Sequence, residues 1–452
     1  MKPTSRKTTK PVIRIYSIVI AVSLGLLLTA CGSTTDPDTT SSTSGGTAQA
    51  PVVPQVSVNL AISPYIDQSE SYIGVEKGFY KDVGITIGPD TYGKVVQPNQ
   101  VAPLLAAGTI DFAKTAPSIV IPSLPSAPSI RSYAYSDLFL GFAIICQPEF
   151  KTVADFVKEG ASQREAIASA TKQLVGKTFA VSSDPGVAIL YQSAFEKAGI
   201  SLDDMNVLRV EDAQGFGLMT SNRADCQLPG APIRVSLQAK GFVAVVTSAD
   251  IAQIATTSDY MDLQAISQNG WATTLEYWEK NRDTVLRMAS VGWRINDLIN
   301  ADLDQAIQIH VPYVNKIAGT SLTLDEGRIM YTDLDPFITF ENQAEWFNDS
   351  ESVYYQSRII NAAIKAQEEA GTLPAGKYTY KDISIAAEVY QAMLDYKAEA
   401  EGYFSQLDSK NVSPSDSGDE ASKLYSQAKQ FFEWRDYLDA SRFAEAALAA
   451  AG

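Results

Sequence analysis

Tyr72-Ile73-Gly74-Val75-Glu76-Lys77-Gly78-Phe79-Tyr80-Lys81-Asp82-Val83-Gly84-Ile85 holds a helix, its stop and the start of a strand. Ser69 or Ser71 can cap a helix over residues 69–79, and Gly78 stands near its end, where glycine terminates helices most readily. Gly84-Ile85-Thr86-Ile87 then reads as a strand. On the N-terminal side, Val56-Ser57-Val58-Asn59-Leu60-Ala61-Ile62 alternates as a strand does. On the C-terminal side, residues 100–108 form a short helix ended by Gly108, 110–113 a strand, and 117–124 a helix start.

The rhythm then restarts. Residues 138–146 are a strongly apolar strand, 153–175 largely helix, 177–181 a strand, and 186–198 a helix stopped by Gly199. Residues 205–210 read as a strand, 216–221 as a short helix, and 224–228 and 242–246 as two more strands. Strands alternating with helices predict parallel sheets with helices on both faces. After about residue 270 the pattern turns helical: 274–289, 292–317, 352–371 and 383–407 are long amphipathic runs. A Ser/Pro/Asp linker, residues 411–420, leads to two helical segments in 421–452 that split near Arg435-Asp436. There Tyr425, Ala428, Phe432, Tyr437, Ala440, Phe443, Ala444 and Ala447 recur at helical spacing, as in a single tetratricopeptide-like hairpin. One such unit is too little for a solenoid, so a hairpin packed on the main body is expected.

The N-terminus carries Lys2, Arg6, Lys7, Lys10 and Arg14 with no acidic residue, then a mostly apolar run that ends in Leu28-Thr29-Ala30-Cys31-Gly32. That order of charged, apolar and small residues reads as an export signal, residues 1–31. Its end resembles a bacterial lipobox, in which Cys31 is lipidated and becomes the mature N-terminus. Two alternatives are a retained membrane span, for which about 20 apolar residues are needed, and a simple soluble signal peptide. Residues 32–54 are rich in Thr, Ser, Gly and Asp and suit a flexible tether. The expected location is extracytoplasmic, lipid-anchored to the cell membrane.

Of 452 residues, about 400 remain after signal and tether, enough for two or three folding units. Hydrophobic content of 45% allows them substantial cores. Loss of the leader's five positive charges takes the chain from −16 to −21, and no basic block survives to track phosphates, so nucleic acid is no partner. His310 is the only histidine, which argues against Ser/His/Asp catalysis and a His-built metal site. Beside Val311-Pro312 it reads as a structural residue. Calcium-loop, phosphate-loop and metalloprotease motifs are missing, and no cofactor or metal is expected. Cys146 and Cys226 are the cysteines left after Cys31; they are either a disulfide or two buried thiols.

The opening segment resembles the first helix and second strand of substrate-binding proteins of the nitrate/sulfonate/taurine and thiamine-pyrimidine-precursor type. Leu104-Leu105-Ala106-Ala107-Gly108-Thr109-Ile110-Asp111-Phe112 looks like that family's next element. Gly176-Lys177-Thr178-Phe179-Ala180-Val181 looks like the start of its second lobe, and Asn222-Arg223-Ala224-Asp225 like the strand leading back. The resemblance covers roughly residues 56–317 in order; the chain from about 330 onward departs from the short family members. It implies an α/β, two-lobe type II periplasmic-binding fold with a hinge, a helical C-terminal extension, and delivery of ligand to an ABC importer. Residues 55–137 would then be the first part of lobe 1, 138–228 lobe 2, and 229–410 the return to lobe 1 with a helical region. ABC permease and ATPase subunits, a small-molecule ligand and the membrane through the Cys31 lipid are the implied partners, and a monomer is expected.

In such sheets ligands sit beyond the carboxyl ends of the strands. That rule nominates Tyr65, Ser71, Tyr72, Tyr92, Lys94, Thr115 and Ser118 from the first lobe. From the second it nominates Ser182, Ser183, Asp184, Asp212 and Gln214. Ser118 and Ser183 can hydrogen-bond a ligand or merely cap helices. The tyrosines can face a flat ligand or pack in the lobe, and Lys94 can pair with an anion or stay solvated. Expected ligands are an aromatic or heterocyclic nutrient, such as a pyrimidine precursor or a riboflavin-like compound, or a sulfonate- or nitrate-type anion. The resemblance also places Cys146 and Cys226 on hinge strands running side by side, where a disulfide would restrain the hinge. Two other readings are a surface sensor or adhesin that docks proteins on the C-terminal hairpin, and a pyrimidine-synthase-like enzyme. The second suits poorly a chain with one histidine and an export signal.

Overall fold

The computed structural model describes residues 50–182 and 185–452, without the side chains of residues 185–189. The leader with Cys31, most of the tether, and Ser183 and Asp184 lie outside the described residues. In chain order the strands are β1 (Val56–Ile62), β2 (Ile85–Gly88), β3 (Lys94–Val95), β4 (Phe112–Thr115), β5 (Ile130–Phe139) and β6 (Ala143–Cys146). They continue with β7 (Thr178–Val181), β8 (Asn206–Arg209), β9 (Cys226–Leu228), β10 (Val243–Thr247) and β11 (Ser267–Thr274).

They form two sheets. The first runs β2-β1-β4-β11-β5, with β3 also pairing β1; the second runs β10-β6-β9-β7-β8. Parallel pairing holds for β1 with β2, β3 and β4, and for β7 with β8 and β9. Antiparallel pairs enter with the strands that follow each crossing between the sheets: β6 against β9 and β10, and β11 against β4 and β5. Leu60, Ala61 and Ile62 of β1 are all buried, because helices cover both faces of a central strand.

The opening segment folds as three short helices, Ile66–Ser69, Ser71–Glu76 and Phe79–Asp82, before β2. Gly78 and Gly84 both take left-handed backbone, with φ of 76° and 75°. A side chain at Gly84 would also meet the carbonyl of Pro54 at 2.5 Å, so only glycine fits that turn.

The expected strand over residues 138–146 is two strands. β5 ends at Phe139, the chain crosses at Leu140-Gly141-Phe142, and β6 starts the second sheet. Lobe 2 likewise extends past Leu228, since β10 pairs with β6; the return crossing follows β10 and ends at β11. The two crossings are tied together. Ser248 N–H donates to the Phe142 carbonyl at 2.9 Å, and Arg234 Nη1 donates to the Gly141 carbonyl at 2.9 Å.

Cys146 and Cys226 form a disulfide. They face each other on β6 and β9, so the strands do run side by side. Both strands belong to the second sheet, which corrects the expected position: the bridge staples lobe 2 internally and does not span the hinge.

Helices Arg282–Ala301 and Leu303–Ala318 pack on the first lobe, where Trp293 meets Trp271 edge-on at 5.8 Å. The C-terminal helices Glu420–Glu433 and Tyr437–Ala450 pack as the expected hairpin against helix Ala386–Ser409, through Phe404, Tyr425, Phe431 and Phe443. Buried Arg287 locks it to the body by two hydrogen bonds to Asp439, at 2.7 and 3.0 Å. Arg435 reaches Asp297 at 2.8 Å. No described helix is long and apolar enough to cross a membrane.

Candidate functional site

The loop leaving β1 is fixed by a hydrogen-bond chain. Ser69 Oγ donates to the Tyr65 carbonyl at 2.6 Å and lies 2.8 Å from His310 Nε2; His310 Nδ1 lies 2.5 Å from the Tyr331 hydroxyl. With its one proton given to Tyr65, Ser69 can only accept from Nε2–H, so this network assigns Nδ1 as acceptor from Tyr331. A neutral imidazole results, and burial pushes its pKa down to about 3. His310 is the structural residue that the sequence predicts, and through Ser69 it holds the Tyr65 backbone in place.

Tyr65 opens onto a cavity between the two sheets with about 490 Å³ of space not filled by atoms, part of it open to solvent. The first lobe contributes the β1 loop through Tyr65, Asp67 and Gln68, and the turn after β4 through Ala116, Ser118 and Ile119. Phe139 and Phe142 line it at the crossing, their rings edge-on at 4.7 Å. Ser267 and Asn269 come from β11, and Ser182, Asp212, Gly230 and Ala231 close it from the second lobe. Asp212 accepts a hydrogen bond from Gly230 N–H at 2.7 Å. A Cβ on Gly230 would sit 2.9 Å from the Tyr65 ring and 3.0 Å from Asp212, so the lobes approach closely only because this residue has no side chain.

Beneath the cavity lies a buried charge cluster. Lys114 Nζ, fully buried, is 2.7 Å from Glu70 and 3.2 Å from Asp137, and lies 4.5 Å from the centre of the Trp271 ring. Ser136 bridges Lys114 and Asp137. Asn269 Nδ2 donates to Asp67 and to Asp137, both at 2.9 Å. Asp335 follows the π-helical turn Met330–Leu334 and completes a buried trio of carboxylates with Asp67 and Asp137. One cation thus faces four acids. Burial works against the Lys114 charge, but Glu70 and Asp137 outweigh it and hold the ammonium above its ordinary range. Burial, then the neighbouring Asp137, pushes Asp67 and Asp335 well above the usual carboxylate range. Burial also raises Glu70 to about 7, with Lys114 pulling the other way.

Of the residues nominated from sequence, Tyr65, Ser118, Ser182 and Asp212 line this cavity. Thr115 and Ser71 are buried away from its lining. Tyr72 stacks on Tyr313 at 4.1 Å, because helix Ser71–Glu76 turns that face toward helix Leu303–Ala318, and meets the Tyr92 ring at a tilt of 36° and 4.2 Å. Tyr92 donates to Glu76 at 2.6 Å, which raises its pKa. Lys94 lies on β3, away from the cavity, and Gln214 is exposed on helix Asp212–Thr220. Ser183 and Asp184 fall outside the described residues. Sequence reasoning missed Asp67, Gln68, Phe139, Phe142, Gly230, Ala231, Ser267 and Asn269. One signal was available: Lys114 stands inside the apolar run Phe112-Ala113-Lys114-Thr115-Ala116, and a lysine in a buried strand needs acidic partners.

No family model matches the chain. A protein of Brucella abortus strain 2308, named as a binding protein, is 24% identical over 255 residues, 56% of this chain and 70% of that one. Among solved structures, the alkanesulfonate-binding protein of Xanthomonas axonopodis pv. citri, bound to MOPS, superposes with a TM-score of 0.52. It is 12% identical, over 74% of this chain and 99% of that one. The periplasmic nitrate-binding protein of Synechocystis PCC 6803 superposes with a TM-score of 0.51 and 14% identity, over 75% of this chain and 89% of that one. The aliphatic sulphonate-binding protein of Escherichia coli gives 0.50 and 13%, over 70% and 94%. Two mixed sheets, two crossings and a cavity between them are the two-lobe fold of periplasmic substrate-binding proteins.

Proposed function

We propose that the chain is an extracytoplasmic solute-binding lipoprotein that captures a small organic molecule between its lobes and passes it to an ABC importer. The observation that carries this reading is the cavity at the seam of the two sheets, lined from both lobes. A ligand there touches both lobes at once, so binding favours their closed arrangement about the two crossings. Binding proteins for sulfonates and nitrate share the fold, and the Brucella relative is named for binding. The export signal and Cys31 supply the location: lipid on the mature N-terminus and about 20 flexible residues keep the binder near its permease.

Native mass spectrometry of protein purified without refolding tests the reading, with small-angle scattering before and after ligand removal. A co-purified small molecule whose loss expands the particle is the expected result. A protein with no small-molecule adduct and no change in size would overturn it.

A further inference from the structure

The charge lining the cavity narrows the class of ligand. Among the described residues lining it there is no lysine or arginine, whereas Asp67 and Asp212 both reach it. Two cations near the lining are already engaged: Lys114 is fully buried and held by Glu70 and Asp137, and Arg234 donates to the Gly141 carbonyl at the crossing. An anion entering here would meet carboxylates and no free positive charge. A second, independent feature points the same way. Gln68 lines the cavity, is 5% exposed, and its Oε1 is buried without a hydrogen-bond partner. A buried acceptor without a donor is costly unless a ligand supplies one.

We propose that the ligand is an organic cation, an amine or amidine on a compact apolar or aromatic body, whose N–H groups meet Asp67 and the Gln68 carbonyl. This rests on the solute-binding reading and names its substrate class. Phe139, Phe142 and Ile119 supply the apolar wall for the body. The cation also relieves the imbalance beneath the cavity, where Lys114 alone faces Asp67, Glu70, Asp137 and Asp335. The groups that face Asp67 are Glu70 on its own segment, Lys114 on β4, Asp137 on β5, Asn269 on β11 and Asp335 after the π turn. Burial among these acids favours a proton on Asp67 when the cavity is empty. A cationic ligand favours the carboxylate, so binding is coupled to release of that proton and tightens as pH rises through the Asp67 titration.

The experiment is isothermal titration of the full chain with matched probes: benzylamine and benzamidine, benzyl alcohol and benzamide, and phenylmethanesulfonate and benzoate. The cations are expected to bind at least about tenfold tighter than the neutral probes, with no heat from the anions. Asp67→Asn should weaken the cations by about tenfold or more, and Gln68→Leu by a smaller factor. Benzylamine affinity on the unmodified chain should rise with pH across a series from pH 4 to 8, with buffer-dependent heat that reports proton release; this readout decides if Asp67→Asn does not fold. Anions binding as tightly as cations, or a flat pH profile without proton release, overturns the cationic class and leaves cleft capture standing. Silence from every probe, with no co-purified molecule in native mass spectra, overturns both.

Discussion

Two buried groups give opposite pH dependences. Glu70 has its folded pKa raised to about 7 from 4.5, so its contribution to stability is present below about pH 4.5 and lost as pH rises through 7. His310 has its folded pKa lowered to about 3 from 6.5, so its contribution is present above pH 6.5 and lost as pH falls toward 3. Between pH 4.5 and 6.5 the two oppose each other. Asp67, Asp335 and Asp436, also held above the carboxylate range, act in the same direction as Glu70. Glu70→Gln should therefore make stability fall less steeply with pH across that window than in the unmodified chain, and His310→Gln more steeply, each slope changing by up to about 1.4 kcal/mol per pH unit. Urea unfolding at four pH values checks this; parallel profiles for the two variants would refute it. Gly230 makes a simpler test. Gly230→Val pushes side-chain atoms against Tyr65 and Asp212, so it should abolish ligand binding while far-UV circular dichroism stays native. Binding that survives would move the ligand out of this cavity.

Among the elements, the disulfide between β6 and β9 closes a separation of 80 residues. The double change Cys146→Ala/Cys226→Ala should cost about 4 kcal/mol on the chain-entropy model. Hydrogen exchange should show the loss in β6 to β10 and leave the first sheet protected. The C-terminal hairpin hangs on a different bond. Arg287→Leu removes the two hydrogen bonds to buried Asp439 and leaves it only Arg442, at 3.6 Å, and beside Asp436, which burial and Asp439 already hold well above the ordinary carboxylate range. A loss of about 3–5 kcal/mol is expected. Limited proteolysis should then cut in the linker at residues 411–418, and an uncut hairpin would show that Phe431 and Phe443 hold it unaided.

Legibility divides along the same elements. β1, β2, β4 and β7 to β10 show in the sequence because each carries a short apolar or alternating run. β5 and β11 do not. Arg131, Ser132, Ser136 and Asp137 interrupt the first, and Ser267-Gln268-Asn269 opens the second, yet both strands are almost wholly buried. Their polar residues are inside because they serve the charge cluster and the cavity, so the pattern fails where the candidate site is built. Tyr65, Ser118, Ser182 and Asp212 were legible because the carboxyl-end rule needs only strand order. Asp67 and Asn269 required knowing which strands neighbour Lys114.

For the whole molecule, the proposed lipid anchor and the cleft make separable demands. Cys31→Ala should shift the protein from the membrane to the soluble fraction, with ligand affinity unchanged, because residues 32–54 part the anchor from the lobes. Fractionation and titration of the same preparation check both halves; a variant still in the membrane fraction would show that Cys31 is not the anchor. The hydrogen-bond chain from Tyr331 through His310 and Ser69 to Tyr65 has a use of its own. The chain contains a single imidazole, and it sits two hydrogen bonds from the cavity wall. Protein labelled with nitrogen-15 histidine would give one pair of ring resonances, whose shifts read the Nε2–H tautomer directly and follow cavity filling without an added fluorophore or spin label.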